Sequence, residues 1–223
     1  MRYVGAAPAG SDEVATRGYV DAYGSLEAIV PPAGWLVTDK TMMTAAAGLA
    51  LTSGRGNFHR LYLMPGTYDS LWVTCSTAQG GTTVGQVSLL LGLYPDDGSG
   101  TWPDTTNQPI ASATISSGSG GPLTSTGMKQ ATFASPLVIT KPTLLWVCSL
   151  YLVATAPTTP PVLVAISTNL QNLARPTTLV LNTATRGYFR SGLAALPSTA
   201  STPSNVSVSG SADITAVAIR RSA

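Results

Sequence analysis

The sequence predicts an all-β protein, a jelly-roll-like β-sandwich preceded by a short N-terminal helical attachment segment. About ten short runs of β-type residues follow Trp35, turn-forming residues separate them, and no helical period persists through that part of the chain. Only 10% of the 223 residues are charged, and the chain holds 22 Gly and 16 Pro. This composition suits half-buried, hydroxyl-rich strands joined by turns.

Residues 1–34 are predicted to form an attachment segment and linker. Ser11 is a good helix N-cap, and the two acidic residues after it favour a helix N-terminus. Such a helix of about three turns is marginal alone in water, so its apolar face needs a partner, either further copies of itself or a docking surface. Packing against its own domain is the alternative. The candidate contacts of this helix, with a docking surface or with the other copies in a trimer, are Val14, Ala15, Tyr19, Ala22 and Tyr23.

Residues 35–223 are predicted to form the β-sandwich head, which Trp35 opens. The run at 144–154 is apolar for too short a distance to span a bilayer, and we interpret it as a central strand buried on both faces. The expected strands cover residues 35–38, 58–64, 70–75, 86–94, 110–115, 130–134, 144–153, 162–167, 187–190, 206–209 and 213–220.

Alternation of polar and apolar residues predicts which side chains point inward. Val87 and Leu89 should share the inner face of one strand. In the last strand the alternation loses its phase near Ala216, which indicates a bulge or a strand covered on both sides. Residues 41–51 (TMMTAAAGLAL) are the one other place where a short helix is expected, with an interface loop as the alternative.

The two cysteines, Cys75 and Cys148, lie within apolar strand-like runs. Free Cys behaves as a small hydrophobic residue, and a chain assembled in a cytosol keeps its thiols reduced, so buried free thiols are expected. A bridge between neighbouring strands stays open, because the sequence does not give the separation of the two residues.

The segment after the fourth expected strand, residues 94–104 (YPDDGSGTWPD), combines aromatic and acidic residues. Aromatic faces beside polar anchors provide the chemistry with which a shallow site binds sugar rings. A tight Asp-Gly turn is the structural alternative, and the oxygen-rich sequence also leaves calcium open, although it lacks the regular ligand spacing of a calcium-binding hand. The candidate glycan-contact residues are Tyr94, Asp96, Asp97, Trp102 and Asp104.

Little in the sequence favours catalysis. His59 is the only histidine, and we expect it to be a structural residue on the outer face of a strand or at an interface. No phosphate-binding loop, nucleophile elbow, zinc-protease motif or paired CxxC motif occurs. We therefore expect no enzymatic activity, catalytic residue, cofactor or metal. The 12 basic and 10 acidic residues are scattered, so no nucleic acid partner is expected, and neither is membrane insertion.

The segment at residues 12–21 resembles the "D.ATKGYVD" sequence found near the start of many bacteriophage fiber and minor virion proteins, with Arg17 where Lys is more usual. Residues 91–100 (LGLYPDDGSG), 143–147 (TLLWV) and 187–197 (GYFRSGLAALP) are similar to jelly-roll head modules of phage tail and head appendages. The resemblance implies a virion protein, assembled in the host cytoplasm and displayed through its N-terminal segment.

These observations together predict a non-enzymatic virion structural protein, a homotrimeric appendage that contacts other capsid or tail proteins. It would serve as a capsid decoration, head fiber or minor tail fiber. The alternative is a tail receptor-binding protein that recognises a host cell-surface glycan. A cell-wall hydrolase is the third hypothesis, although its carboxylates would have to come from the Asp residues of the head.

Overall fold

The computed structural model describes residues 36–37, 45–80, 86–98, 102–117, 121–166, 187–198, 206–208 and 214–222. The predicted attachment segment, with its candidate contacts Val14, Ala15, Tyr19, Ala22 and Tyr23, lies outside these residues. Within the described ranges the only helix is a 3₁₀ turn at Pro122–Thr124, and no helix there has the length and hydropathy needed to cross a membrane.

The described residues form two antiparallel sheets packed as a β-sandwich, as the sequence predicts. Sheet A contains β1, β2, β4, β7, β9, β12 and β13, and sheet B contains β3, β5, β6, β8, β10 and β11. The strands are β1 (Leu36–Val37), β2 (Ala45–Ala50), β3 (Arg55–Leu63), β4 (Gly66–Thr77), β5 (Gln86–Pro95), β6 (Ala111–Ser117), β7 (Gly127–Ile139), β8 (Thr143–Thr155), β9 (Val162–Ile166), β10 (Gly187–Arg190), β11 (Val206–Val208), β12 (Ile214–Thr215) and β13 (Val217–Arg221).

The order of the strands is that of a jelly roll. Eight strands form two four-stranded layers, β2-β9-β4-β7 in sheet A and β3-β8-β5-β6 in sheet B. The chain crosses from one layer to the other at most of its connections, as in other jelly rolls. In sheet B, β10 and β11 extend the layer beyond β3.

The last strand passes between two others. Residues 214–215 pair with β9, and residues 217–221 pair with β4. At the junction the Ala216 amide donates a 3.0 Å hydrogen bond to the Val164 carbonyl. Thr215, Val217 and Ile219 are buried while Ala216 is half-buried. Burial therefore alternates regularly through the change of partner, and the register shift of this strand lies between Arg220 and Arg221 instead of near Ala216.

One expected element is wrong. The helix expected at residues 41–51 is replaced at Ala45–Ala50 by β2, which pairs with β9. Alanine favours a helix in isolation, but that preference is worth less than about 1 kcal/mol per residue, and pairing in a sheet outweighs it. A register shift between Ala46 and Gly48 accommodates the glycine.

The main core lies between the two sheets. Val87, Leu89, Leu91 and Leu93 of β5 all point into it, which confirms the predicted inner face of that strand. A fully buried Leu stabilises the fold by about 1.5–3 kcal/mol, so each leucine of this row adds to the hydrophobic driving force. His59 of β3 also faces inward, at 1% exposure, and the expectation that it lies on an outer face is wrong.

Sheet B is apolar on its outer face as well. Phe58, Tyr94, Trp146, Cys148 and Leu150 form a second buried cluster there. β8 is consequently buried on both faces from residue 145 to residue 151, as the apolar run in the sequence predicts.

Residues 191–198 cover this second cluster, and we call them the strap. Leu193 and Leu196 of the strap pack onto the cluster. A Cβ added at Gly56 would lie 2.8 Å from Leu193 Cδ1, and one added at Gly92 would lie 3.1 Å from Leu196 Cδ1. The two glycines therefore leave the space that the strap fills.

Two hydrogen bonds hold the strap to the sheet. The Tyr94 hydroxyl donates a buried 2.8 Å hydrogen bond to the Pro197 carbonyl, and the Leu193 amide donates to the Gly54 carbonyl at 2.9 Å. Burial raises the pKa of the Tyr94 hydroxyl, so it stays protonated and remains a donor at physiological pH.

The two cysteines are free thiols. Cys75 belongs to the core between the sheets, whereas Cys148 lies under the strap on the other side of sheet B. Burial raises the pKa of both thiols. Because the thiolate is the reactive form, both should react slowly until the surrounding structure opens.

We expect Tyr94→Phe to loosen the strap without unfolding the sandwich, since the change removes one hydrogen bond worth about 1 kcal/mol. The Cys148 thiol should then react about fivefold faster with a maleimide under native conditions, while the Cys75 rate changes little. Peptide mass spectrometry follows both thiols in one sample. Tyr62→Phe is the matched control, because Tyr62 is 47% exposed on the same face. Equal Cys148 rates in Tyr94→Phe and wild type would contradict the role of the strap.

Candidate functional site

The loop between β5 and β6 begins as a short hairpin. The Asp97 amide donates to the Trp102 carbonyl at 3.0 Å, and the Asp104 amide donates to the Pro95 carbonyl at 2.8 Å. An antiparallel bridge joins Asp96 to Pro103 between them. We call residues 94–104 the acidic-aromatic loop; its tip, residues 99–101, lies outside the described residues.

The Asp96 side chain connects this loop to β8. Its Oδ1 accepts a 2.9 Å hydrogen bond from Trp146 Nε1, and its Oδ2 accepts one of 2.9 Å from the Gly98 amide. Gly98 has a φ of +92°, a left-handed conformation that glycine adopts without strain. Gly98 therefore bends the chain directly after Asp97. Asp96 is positioned by the buried Trp146 and contributes to the shape of the loop.

Tyr94 is not a surface residue. Its side chain is 0% exposed and lies beneath the strap. The ring stands 6.1 Å from that of Phe58, and its hydroxyl is bound to the Pro197 carbonyl. The prediction that Tyr94 contacts a glycan is therefore corrected: the alternation of β5 places this residue on the outer face, but the strap covers that face.

The other four predicted contact residues reach solvent, Asp96 among them at intermediate exposure. Asp97 is exposed, and Trp102 is half-buried with its ring against the outer-face cluster of sheet B. Asp104 is partly exposed, and its Oδ1 accepts hydrogen bonds from the amide and the hydroxyl of Thr106. These bonds lower the pKa of Asp104, so its carboxylate is ionised at neutral pH.

Two residues that the sequence analysis did not single out lie at the same end of sheet B. Arg60 of β3 holds its guanidinium carbon 5.3 Å from the centroid of the Trp146 ring, and Tyr62 is 47% exposed. β8 separates them from β5, with Arg60 opposite Trp146 and Trp146 opposite Tyr94. Phe58, Arg60 and Tyr62 are two residues apart, and in a strand this spacing places all three on the same face of the sheet. That spacing was the signal in the sequence from which Arg60 and Tyr62 could have been found.

The resulting surface combines two aromatic rings with groups that form strong hydrogen bonds. We call it the loop surface; it consists of Arg60, Tyr62, Asp97, Trp102 and Asp104. Aromatic faces suit the apolar faces of sugar rings, and carboxylates and a guanidinium suit their hydroxyl groups. This arrangement is suited to binding a polar ring-shaped ligand at a shallow surface.

His59 lies on the inner face of sheet B at 1% exposure, so its imidazole is not presented at the loop surface. Within the described ranges no group of three or more His, Cys, Asp or Glu side chains is arranged to hold a metal ion. Asp96, one of the oxygen donors that left calcium open, is instead bonded to Trp146 and Gly98.

Comparisons with known proteins give no further guide to the site. No protein-family model matches the chain, no curated protein matches it, and no solved structure matches it.

We expect Asp96 and Asp97, although adjacent, to respond differently to substitution. Asp96→Ala removes the acceptor of both Trp146 Nε1 and the Gly98 amide, and should lower the free energy of unfolding by about 1–3 kcal/mol. Asp97→Ala, at an exposed position, should change it by about 0.5 kcal/mol or less. Urea denaturation followed by tryptophan fluorescence measures both. Equal losses would show that Asp96 does not support the loop.

Proposed function

We propose that this protein is a non-enzymatic bacteriophage virion appendage, with a jelly-roll head at residues 35–223 carried on an attachment segment at residues 1–34. It assembles as a homotrimer in the host cytoplasm and binds other capsid or tail proteins through the attachment segment. The observation that carries the proposal is the jelly-roll strand order of the head, joined to a leading segment that resembles the start of phage fiber proteins.

The way the head is built supports this proposal. The antiparallel sandwich buries apolar side chains on both faces of sheet B, and its two cysteines are free thiols, so no disulfide between them is needed for stability. The charged fraction is low, so stability depends little on ionic strength. These properties suit a protein that remains folded outside the cell.

We expect deletion of residues 2–34 to abolish incorporation of the protein into particles while the head still folds. Immunogold or cryo-EM labelling of intact virions with an antibody against the head gives the location in the wild type. Label over the capsid would identify a decoration or head fiber, and label at the tail would identify a tail fiber. Wild-type particles without label, or truncated protein incorporated at wild-type level, would contradict the proposal.

The second candidate function is host recognition by a tail receptor-binding protein, and the loop surface favours it. Trp102 rests on a buried cluster that fixes its ring, while Asp97 stands exposed beside it. Arg60 and Tyr62 add a cation and a second aromatic ring on the same face. The ligand suited to these groups is a cell-surface glycan.

If the loop surface binds the host, the double variant Asp97→Ala/Trp102→Ala should abolish adsorption of phage particles to host cells. Asp97→Ala alone serves where loss of Trp102 weakens the fold, and it should reduce adsorption severalfold. Ile110→Ala is the control, because Ile110 is 45% exposed near the far end of the same loop. Unaltered adsorption by both loop variants would exclude this function, and a cleared zone in a zymogram of host cell walls would indicate a hydrolase instead.

A further inference from the structure

The two outer faces of the sandwich differ in what covers them. The strap and Trp102 cover the outer face of sheet B. On sheet A, the described part of the chain contains no counterpart of the strap, and Met128 is 51% exposed. Half-buried Trp72 lies at the centre of this face, between Gln130 of β7 and Ala218 of β13. We call it the Trp72 face; its described residues are Ser70, Trp72, Thr74, Met128, Gln130, Thr132, Ala218 and Arg220.

A chain of hydrogen bonds fixes Trp72. Its Nε1 donates to Ser70 Oγ at 3.0 Å, and Ser70 Oγ donates to Asp69 Oδ1 at 2.7 Å. Arg220 Nε donates to the same oxygen at 2.9 Å and Arg220 Nη2 to the other one. The indole is thus held in one orientation with its N–H already bonded. A rigid aromatic side chain loses little conformational entropy when a partner packs on it.

The face is nearly neutral. Asp69 and Arg220 form an ion pair, and the hydrogen bond from Arg220 lowers the pKa of Asp69, so the pair persists at neutral pH. The other described side chains of the face are apolar, hydroxyl or amide groups. Trp and Met are enriched in protein interfaces, whose centres are depleted of charge. This chemistry suits another protein surface. It does not suit the phosphates of a nucleic acid, because Arg220, the described cation of this face, is already paired with Asp69.

The place of β1 in the fold indicates which protein would pack on the Trp72 face. The 35 residues before β1 join the head at sheet A, because β1 pairs with β13, and β13 pairs with β4, the strand that carries Trp72. If the attachment segments of several copies associate, each head would be joined to them through its sheet A. Tethering raises the effective concentration of the heads to about millimolar, so even a weak contact between them forms.

We propose that the Trp72 face is the contact between neighbouring heads in the homotrimer, an inference that rests on the proposed function. In a closed three-fold ring every interface is heterologous, so the Trp72 face of one copy packs against an adjacent surface of the next. The hydrogen-bonded Trp72 and the exposed Met128 form the centre of that contact, and the Asp69–Arg220 ion pair lies beside it.

Oligomeric state provides the first test, using the full-length chain. Trp72→Glu and Met128→Glu place a charge at the centre of the contact and should weaken self-association about tenfold or more, measured by light scattering across a concentration series. Tyr62→Glu is the matched control, since it adds the same charge at a position 47% exposed on sheet B. Equal association of all three variants and the wild type would overturn the proposal.

Hydroxyl-radical footprinting of the wild type provides a second test that needs no substitution. In the trimer, Met128 should be oxidised several times more slowly than its 51% exposure in a single chain allows, while Ile110 keeps the rate expected from 45% exposure. A trimer with fully reactive Met128 would overturn the interface and leave the proposed appendage function intact. A wild-type monomer would overturn the trimer itself, whatever the particle labelling shows.

Discussion

The fold depends on one constraint: sheet B is apolar on both faces, so both must be covered. The inner face is covered by sheet A, as in any sandwich. Among the described residues no second sheet covers the outer face, and the strap and Trp102 pack on it instead. The Tyr94 hydrogen bond to Pro197 and the glycines beneath Leu193 and Leu196 follow from that need. The acidic-aromatic loop is likewise attached through Trp146, a residue of the same buried outer face.

Much of the fold could be predicted from local pattern, because strand alternation reports which side of a sheet a residue occupies. The apolar run in β8 correctly indicates a strand that is buried on both faces, and Val87 and Leu89 correctly identify the inner face of β5. Pattern fails where a distant segment decides the environment. The sequence predicts Tyr94 at a solvent-accessible binding site, but the strap, about a hundred residues further along the chain, covers it.

The same limit explains the other errors. The alanines of β2 carry little information about their partner β9, so their helical propensity suggests the wrong element. His59 is polar and would suit a surface, yet it alternates in phase with Leu61 and Leu63 and is buried with them. At the candidate site, Asp97 and Trp102 could be predicted together because they lie close to each other in the sequence. The sequence does not associate Arg60 and Tyr62 with them, since only the pairing of β3, β8 and β5 brings these residues together.

The few charges of the head are used mainly inside its own structure. Of the four Asp side chains that the structure describes, Asp69 binds Arg220, Asp96 binds Trp146, and Asp104 binds Thr106. Each of these contacts fixes a bulge, a loop or a turn. Charged residues are also few, at 10% of the chain, which leaves few groups for recognition by charge. Among the described tryptophans, Trp72 and Trp102 combine a fixed ring with access to solvent, and each of the two proposed contact surfaces is built on one of them.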